Sequence, residues 1–267
     1  MGDRNTAIQL FNQAAIAVND LDNPQRLVHG YQLFGSACHI DPTWWEALYQ
    51  SGNNNSDLNY LHAAVACWRR ALECKMEPHE RAKVLNNIAW RTHNLGMTDE
   101  ALGYALESAK LDPKGDKTWV TLSNIYQILG NRSEMVDCAE RGYNLAPQDP
   151  ITEVQLAFAC LFDRQFARGF RHFEARFRYK LKNYLTYPYP KWSGETGKTI
   201  YLVADQGLGD TLSMARFVPR VCERSQYVHA YVQPELLRLF PHDFANIPNL
   251  NLLPSGEQFP AADYWST

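Results

Sequence analysis

No apolar run in this chain approaches the ~18 residues that a membrane-crossing helix needs, and its opening alternates polar with apolar residues instead of forming a signal peptide's uninterrupted core. A cytoplasmic protein without a membrane span is expected. Charge of one sign is also lacking: the formal net charge is −3, so no general attraction to nucleic acid is implied. The six cysteines include no C-x-x-C pair and fall mostly within helical patterns, which reads as structural thiols, with no metal site. Met1-Gly2-Asp3-Arg4-Asn5-Thr6 fits a myristoylation pattern but lacks the adjacent basic cluster of a second anchor. The glycosylation sequons Asn54-Asn55-Ser56 and Asn131-Arg132-Ser133 carry no meaning without secretion. With 267 residues, 45% of them hydrophobic and 21% charged, the chain is long enough for about two domains.

What is present is a repeat. Asp41-Pro42, Glu77-Pro78, Asp112-Pro113 and Ala146-Pro147 recur at intervals of 36, 35 and 34 residues. Periods of this size mark helical solenoids. Ala101, Ala105 and Ala109 precede Pro113 on one helical face, while Leu85, Ile88 and Gly96 occupy the partner helix and its turn. Trp119, Leu122, Tyr126, Gly130 and Pro147 take the corresponding places one repeat later. This pattern resembles the tetratricopeptide repeat (TPR) family and implies a right-handed α-solenoid of about five two-helix units over residues 1–182, the first a degenerate unit over 5–42. Met135 and Gly142 depart from two expected alanines and Thr92 from a tyrosine, and Asn53-Asn54-Asn55-Ser56 predicts a lengthened turn.

The resemblance implies that the first helix of each repeat lines a peptide-binding groove in which amides bond a peptide backbone. Carried over residue by residue, it points to Asn86, Asn87, Trp90, Asn94, Asn124 and Gln127, with a protein or peptide as partner. In the last unit Phe166, Phe170, Phe173, Phe177 and Leu181 trace an amphipathic helix whose aromatic face is expected to pack on the array or on the next domain. Arg164, Arg168, Arg171, Arg178 and Lys182 form a basic stripe opposite, either a solvated face or a surface for an acidic partner.

Residues 183–197 hold two prolines and two glycines, which exclude a helix or sheet strand running through them, while Tyr184, Tyr187, Tyr189 and Trp192 argue for a packed linker. Beyond it, a continuous apolar run over residues 200–204 predicts a buried parallel strand. A glycine turn, a helix, a strand over 227–233, a helix over 234–240 and a strand around 250–253 follow, and 263–267 could begin a fourth strand. This order implies a parallel α/β segment over 198–267 after the mainly α array. The turn Gln206-Gly207-Leu208-Gly209-Asp210-Thr211 lacks both the third glycine of a dinucleotide fingerprint and the Gly-Lys-Ser/Thr of a P-loop. It offers an anion-attracting helix start, where Asp210 reads as a helix-capping group.

Trp192-Ser193-Gly194, Gly197-Lys198-Thr199-Ile200, the turn itself, Ala215-Arg216-Phe217-Val218-Pro219 and Val232-Gln233-Pro234-Glu235-Leu236-Leu237-Arg238 together resemble the opening of the bacterial glycosyltransferase-like domain that follows tetratricopeptide repeats. That domain is similar to heptosyltransferases and to O-linked N-acetylglucosaminyltransferase, with two Rossmann-like halves of GT-B type. The likeness implies an acceptor-side loop of Gln206, Gly207, Gly209 and Thr211, with Asp210 as candidate general base. It also implies that a nucleotide-sugar donor binds chiefly to a second half with no candidate here, so this chain alone is expected to bind no cofactor tightly and to transfer no sugar. Alternatives are a non-catalytic scaffold whose α/β segment caps the array or self-associates, and a small-molecule sensor that uses the glycine loop.

Overall fold

The structure, a computed structural model, describes residues 4–178, 188–204, 207–254 and 261–266, with Pro241 and Asp243 described in backbone only. It divides into two compact units, Met1–Tyr179 and Lys180–Thr267.

The first unit is a chain of helical hairpins. They are α1 (Arg4–Asn19) with α2 (Arg26–Ile40), α3 (Trp45–Asp57) with α4 (Leu61–Leu72), α5 (Pro78–Asn94) with α6 (Thr98–Leu111), α7 (Asp116–Leu129) with α8 (Arg132–Leu145), and α9 (Pro150–Phe162) with α10 (Phe166–Phe173). Each helix packs mainly on its hairpin partner and on the start of the next hairpin. Local chemistry sets the ends. Pro78 opens α5 behind a reciprocal Glu77/Glu80 capping box, Asp149 accepts a 2.9 Å hydrogen bond from Ile151 N at the start of α9, and α7 stops at Gly130 with φ 76°. The alanine face behaves as small residues dictate: Ala101 and Ala105 are fully buried with Ala89, Leu122 and Ile125, so neighbouring helices close on one another. Met135 fills its place with no exposure, and Thr92 returns its hydroxyl to the Ile88 carbonyl at 2.8 Å.

Two expectations for this unit are corrected. Asn53–Ser56 form no lengthened turn but the last turns of α3, with Asn54, Asn55 and Ser56 buried. The Trp68 indole secures this run by donating to the Tyr49 carbonyl at 3.1 Å and lying so close to Gly52 that a Cβ there would sit 2.3 Å from its nitrogen. Tertiary packing thus overrides the turn preference of an asparagine cluster. Nor does the amphipathic helix of the last unit run on from Phe166 to Leu181. It ends at Phe173, tightens into a 3₁₀ turn over Glu174–Arg178, and leaves Phe166 and Phe170 exposed, while Gly169, Ala175 and Arg176 are buried. The Arg176 guanidinium lies 4.4 Å from the Phe173 ring centroid and 4.0 Å from that of Phe177. Leu181 lies outside the described residues.

The second unit is a four-stranded parallel sheet of order β3-β2-β1-β4, built from β1 (Thr199–Val203), β2 (Tyr227–Val232), β3 (Leu250–Pro254) and β4 (Tyr264–Ser266). Strand order reverses at β1, whose neighbours are β2 on one side and β4 on the other. Ile200, Tyr201 and Val228 are fully buried, as a strand covered on both faces requires. The helix expected after β1 is two, α11 (Leu208–Ala215) and α12 (Val218–Arg224), because Pro219 cannot continue a helical ladder and instead opens a new one. The helix expected over 234–240 is likewise a 3₁₀ turn, Pro234–Arg238, followed by α13 (Phe240–Phe244). Of the aromatic linker, Trp192 N donates to the Trp265 carbonyl at 2.8 Å and Tyr189 lies 6.0 Å from Tyr201, so both pack into the sheet unit. Tyr184 and Tyr187 lie outside the described residues.

Candidate peptide-binding face

The first helices of successive hairpins carry side chains in a 34-residue register: Asn53, Asn87, Thr121 and Gln155; Trp90, Asn124 and Phe158; Asn94, Ile128 and Phe162. The first row is partly turned inward. Asn87 Nδ2 donates to the Tyr49 hydroxyl at 3.2 Å and to Asn53 Oδ1 at 3.1 Å, tying α5 to α3, while Gln155 Nε2 donates to Ser123 Oγ at 3.0 Å and joins α9 to α7. The other two rows face outward. Trp90 is 37% exposed, Ile128 67%, Phe158 46% and Phe162 40%.

The amides predicted from the sequence therefore divide. Asn94 is exposed and Gln127 half-buried. Asn124 returns its Nδ2 to the Val120 carbonyl at 3.0 Å, one turn back on its own helix. Asn86 is half-buried and its Oδ1 has no hydrogen-bond partner among the described residues. Asn87, Trp90, Asn53 and Arg91 line a hollow of about 320 Å³ between α3 and α5. Beside it the His93 ring lies 6.1 Å from Trp90, and burial lowers its pKa below the ordinary value. Tyr49, Asn53, Ile128, Phe158 and Phe162 are not marked by the sequence as part of a binding face, although stepping 34 residues from Asn87, Trp90 and Asn94 reaches all but the first of them.

The five cations of the last unit do not form one free stripe. Arg164 follows α9 in a left-handed turn with φ 64°. Arg168 donates to Glu140 at 2.6 Å, and Arg178 pairs with Glu153, which also lies 3.2 Å from His172 Nδ1. Arg171 is exposed, and Lys182 lies outside the described residues.

In the sheet unit the N-cap of α11 is Gly207 in an extended conformation, so Asp210 sits in the first turn and not at the cap. Its carboxylate is exposed, and a Cβ on Gly207 would lie 3.5 Å from Asp210 Oδ2. Thr211 Oγ1 donates to the Gly207 carbonyl at 3.3 Å, Gly209 is exposed, and Gln206 lies outside the described residues. Asp210 and Thr211 edge an apolar cavity of about 320 Å³ walled by Leu202, Ala215, Val232 and Phe240. Among the described residues no three His, Cys, Asp or Glu side chains cluster as a metal site, and no helix is long and apolar enough to cross a membrane.

The family model described as Tetratricopeptide repeat matches residues 116–149, which span α7 and α8. A tetratricopeptide repeat is thus recognised over α7 and α8. Solved structures share the fold of the helical unit. MamA from Desulfovibrio magneticus RS-1 is 14% identical, with 68% of this chain and 99% of that chain covered at a TM-score of 0.55. PilF from Pseudomonas aeruginosa is 17% identical over 67% and 79% at 0.55. YrrB, described as a TPR protein with an unusual peptide-binding site, is 13% identical over 67% and 88% at 0.50. No curated protein matches the sequence. In the helical unit the rows through Trp90 and Asn94 are the repeated, outward-facing feature.

Proposed function

We propose that the chain is a protein-interaction scaffold that holds an extended peptide along the first helices of its tetratricopeptide array. The observation that carries this reading is the pair of outward rows, Trp90, Asn124, Phe158 and Asn94, Ile128, Phe162, which repeat amphipathic contacts at the spacing of the fold itself. Large aromatic and aliphatic side chains half in water gain most from a partner, and the flanking amides can meet a peptide backbone. The Asn87 bridge to Asn53 and Tyr49 holds the start of this face in place. The peptide-binding site of YrrB, on an array of the same fold, is consistent with this reading. The test selects binders from a displayed random-peptide library on the whole chain and repeats the titration on Trp90→Ser with Ile128→Ser. Loss of affinity of roughly tenfold or more at an unchanged melting temperature is expected. Equal affinity in the double variant would place the peptide elsewhere.

A second reading rests on the sheet. Parallel order β3-β2-β1-β4, with a glycine-bearing loop after β1 at the point of reversal, is the arrangement in which open α/β folds hold ligands. It supports a Rossmann-like, acceptor-side half of a glycosyltransferase in which Asp210 deprotonates an acceptor hydroxyl once a second half supplies the nucleotide-sugar donor. The side chains of Leu208, Leu212, Met214 and Phe217, each 43% to 50% exposed, equally support self-association of this unit. Titration of the chain with uridine, guanosine and adenosine diphosphate sugars, followed by sedimentation, separates the two. A sugar donor that binds only after complementation favours transfer, whereas a concentration-dependent dimer with no donor affinity in either form favours association.

A further inference from the structure

The apolar cavity of about 320 Å³ in the sheet unit has its origin in strand register. Leu202 on β1 pairs with Ala230 on β2 and with Ser266 on β4, while Ala230 pairs with Leu252 on β3. Paired residues of parallel strands point to one face, so two small side chains flank Leu202 and leave a hollow that α11, α12 and α13 roof. A central parallel strand is ordinarily covered on both faces. Here Ile200 is fully buried, but Leu202, Leu252, Trp192 and Phe244 are only half-buried, and Met214 and Phe217 are 48% and 50% exposed. These side chains offer apolar surface to a ligand, in a space at the lower end of the roughly 300 to 1,000 Å³ that small-molecule sites occupy.

The lining is selective in charge. Among the described residues Asp210 is the only Asp, Glu, Lys, Arg or His on it, and Asp210 makes no ion pair among them. Its carboxylate is exposed, so a ligand can reach it. The rings of Trp192 and Phe217 already draw cations: the Arg224 guanidinium lies 6.0 Å from the first centroid and that of Arg216 5.6 Å from the second. Both guanidiniums are engaged elsewhere. Arg224 donates to the Gly194 carbonyl at 2.7 Å and Arg216 to the Ser213 carbonyl at 2.6 Å, and both residues are exposed, where salt screens their charge. A sugar would find few partners for its hydroxyls on such walls, whereas an apolar skeleton that ends in one positive charge matches walls and carboxylate alike.

We infer that this cavity binds a small apolar organic cation, an aryl- or alkylammonium whose hydrocarbon lies on Leu202 and Leu252 between Ala230 and Ser266 and whose ammonium pairs with Asp210. The assignment goes beyond sugar transfer, since it needs neither a nucleotide-sugar donor nor a second half.

Calorimetric titration of the whole chain with 4-phenylbutylamine, 4-phenylbutanol and 4-phenylbutyrate, which share one skeleton and differ in the head group, tests this. The amine is expected to bind with a Kd below about 1 mM, the alcohol about tenfold more weakly, since it forfeits the charge-assisted pair, and the carboxylate more weakly still. Asp210→Asn should bring the amine to the affinity of the alcohol at a nearly unchanged melting temperature. Ala230→Leu fills the hollow beside Leu202 and should weaken the amine by roughly tenfold or more. Should that variant not fold, Ser266→Leu, half-buried on the other side of Leu202, fills the same space. Equal affinity for amine and alcohol, no binding of the amine at millimolar concentration, or wild-type amine affinity in Asp210→Asn or in the filled variant would each overturn the assignment.

Discussion

Asn54 shows how one side chain can carry both a cost and a position. In register it occupies the place of Ile88, Leu122 and Leu156, yet it is a buried amide whose Oδ1 and Nδ2 both lack partners among the described residues. It packs against Gly30, where an added Cβ would fall 2.9 Å from its Nδ2. Asn54→Leu is close to isosteric and removes both orphaned groups, so it is expected to stabilise the array by ~1 to 3 kcal/mol, read as a higher melting temperature. Asp210 invites the opposite expectation. Exposed and in the first turn of α11 behind the Gly207 cap, it contributes a charge–dipole term of ~0.3 to 1 kcal/mol at most, so Asp210→Asn should leave the melting temperature nearly unchanged. A reduction in sugar transfer by roughly 10² to 10⁴ in a complemented, active form would mark the same residue as a general base. The buried thiols titrate together: desolvation pushes Cys38, Cys138 and Cys222 each up to about 11 from 9.0. The unfolded thiols ionise first as pH rises, so the folded state holds more protons and loses stability between pH 9 and 11, while below 9 these thiols leave it unchanged. Denaturant midpoints measured across that window, with Cys38→Ala as reference, check the sign.

At the scale of elements, the contact between α3 and α4 turns on the absence of a single methyl group. Gly52 has no side chain because the Trp68 indole occupies that space and bonds to the Tyr49 carbonyl. Gly52→Ala is therefore expected to cost ~1 to 3 kcal/mol by overpacking, despite the better helix propensity of alanine, and to shift the emission of Trp68. Ala105→Arg should do the same between α5 and α6, where Ala105 is fully buried, with a cost of ~1 to 3 kcal/mol or more. The elements of the sheet unit answer to proline instead. Pro219 divides what the apolar pattern reads as one continuous helix, because it restarts a helix and cannot donate to the preceding turn. In the last hairpin the aromatic spacing was visible, but the change from α to 3₁₀ at Glu174 puts Ala175 and Arg176 inside, which a constant 3.6-residue period cannot foretell.

At the scale of the molecule, a solenoid whose helices touch chiefly their neighbours distributes stability as a chain of local terms. Leu122→Ala, at a fully packed site of α7, should cost ~2 to 5 kcal/mol and lower hydrogen-exchange protection most in α6 to α9 and least in α1 and α2. The repeat was legible in the order of residues alone, because a period near 34 residues, small residues on one face and prolines at the turns leave few other ways to bury the apolar stripes. So was the parallel character of the second unit's strands, since apolar runs separated by helical segments require crossovers. Which polar residues face inward was settled by folding. Asn54 and Asn55 read as turn formers until Trp68 and Gly52 draw them into α3, and Asn87 reads as a free amide until Tyr49 and Asn53, more than thirty residues earlier, take up its protons. Periodicity records which face of a helix is apolar, whereas a buried hydrogen bond or an orphaned oxygen depends on partners that only folding brings within about 3 Å.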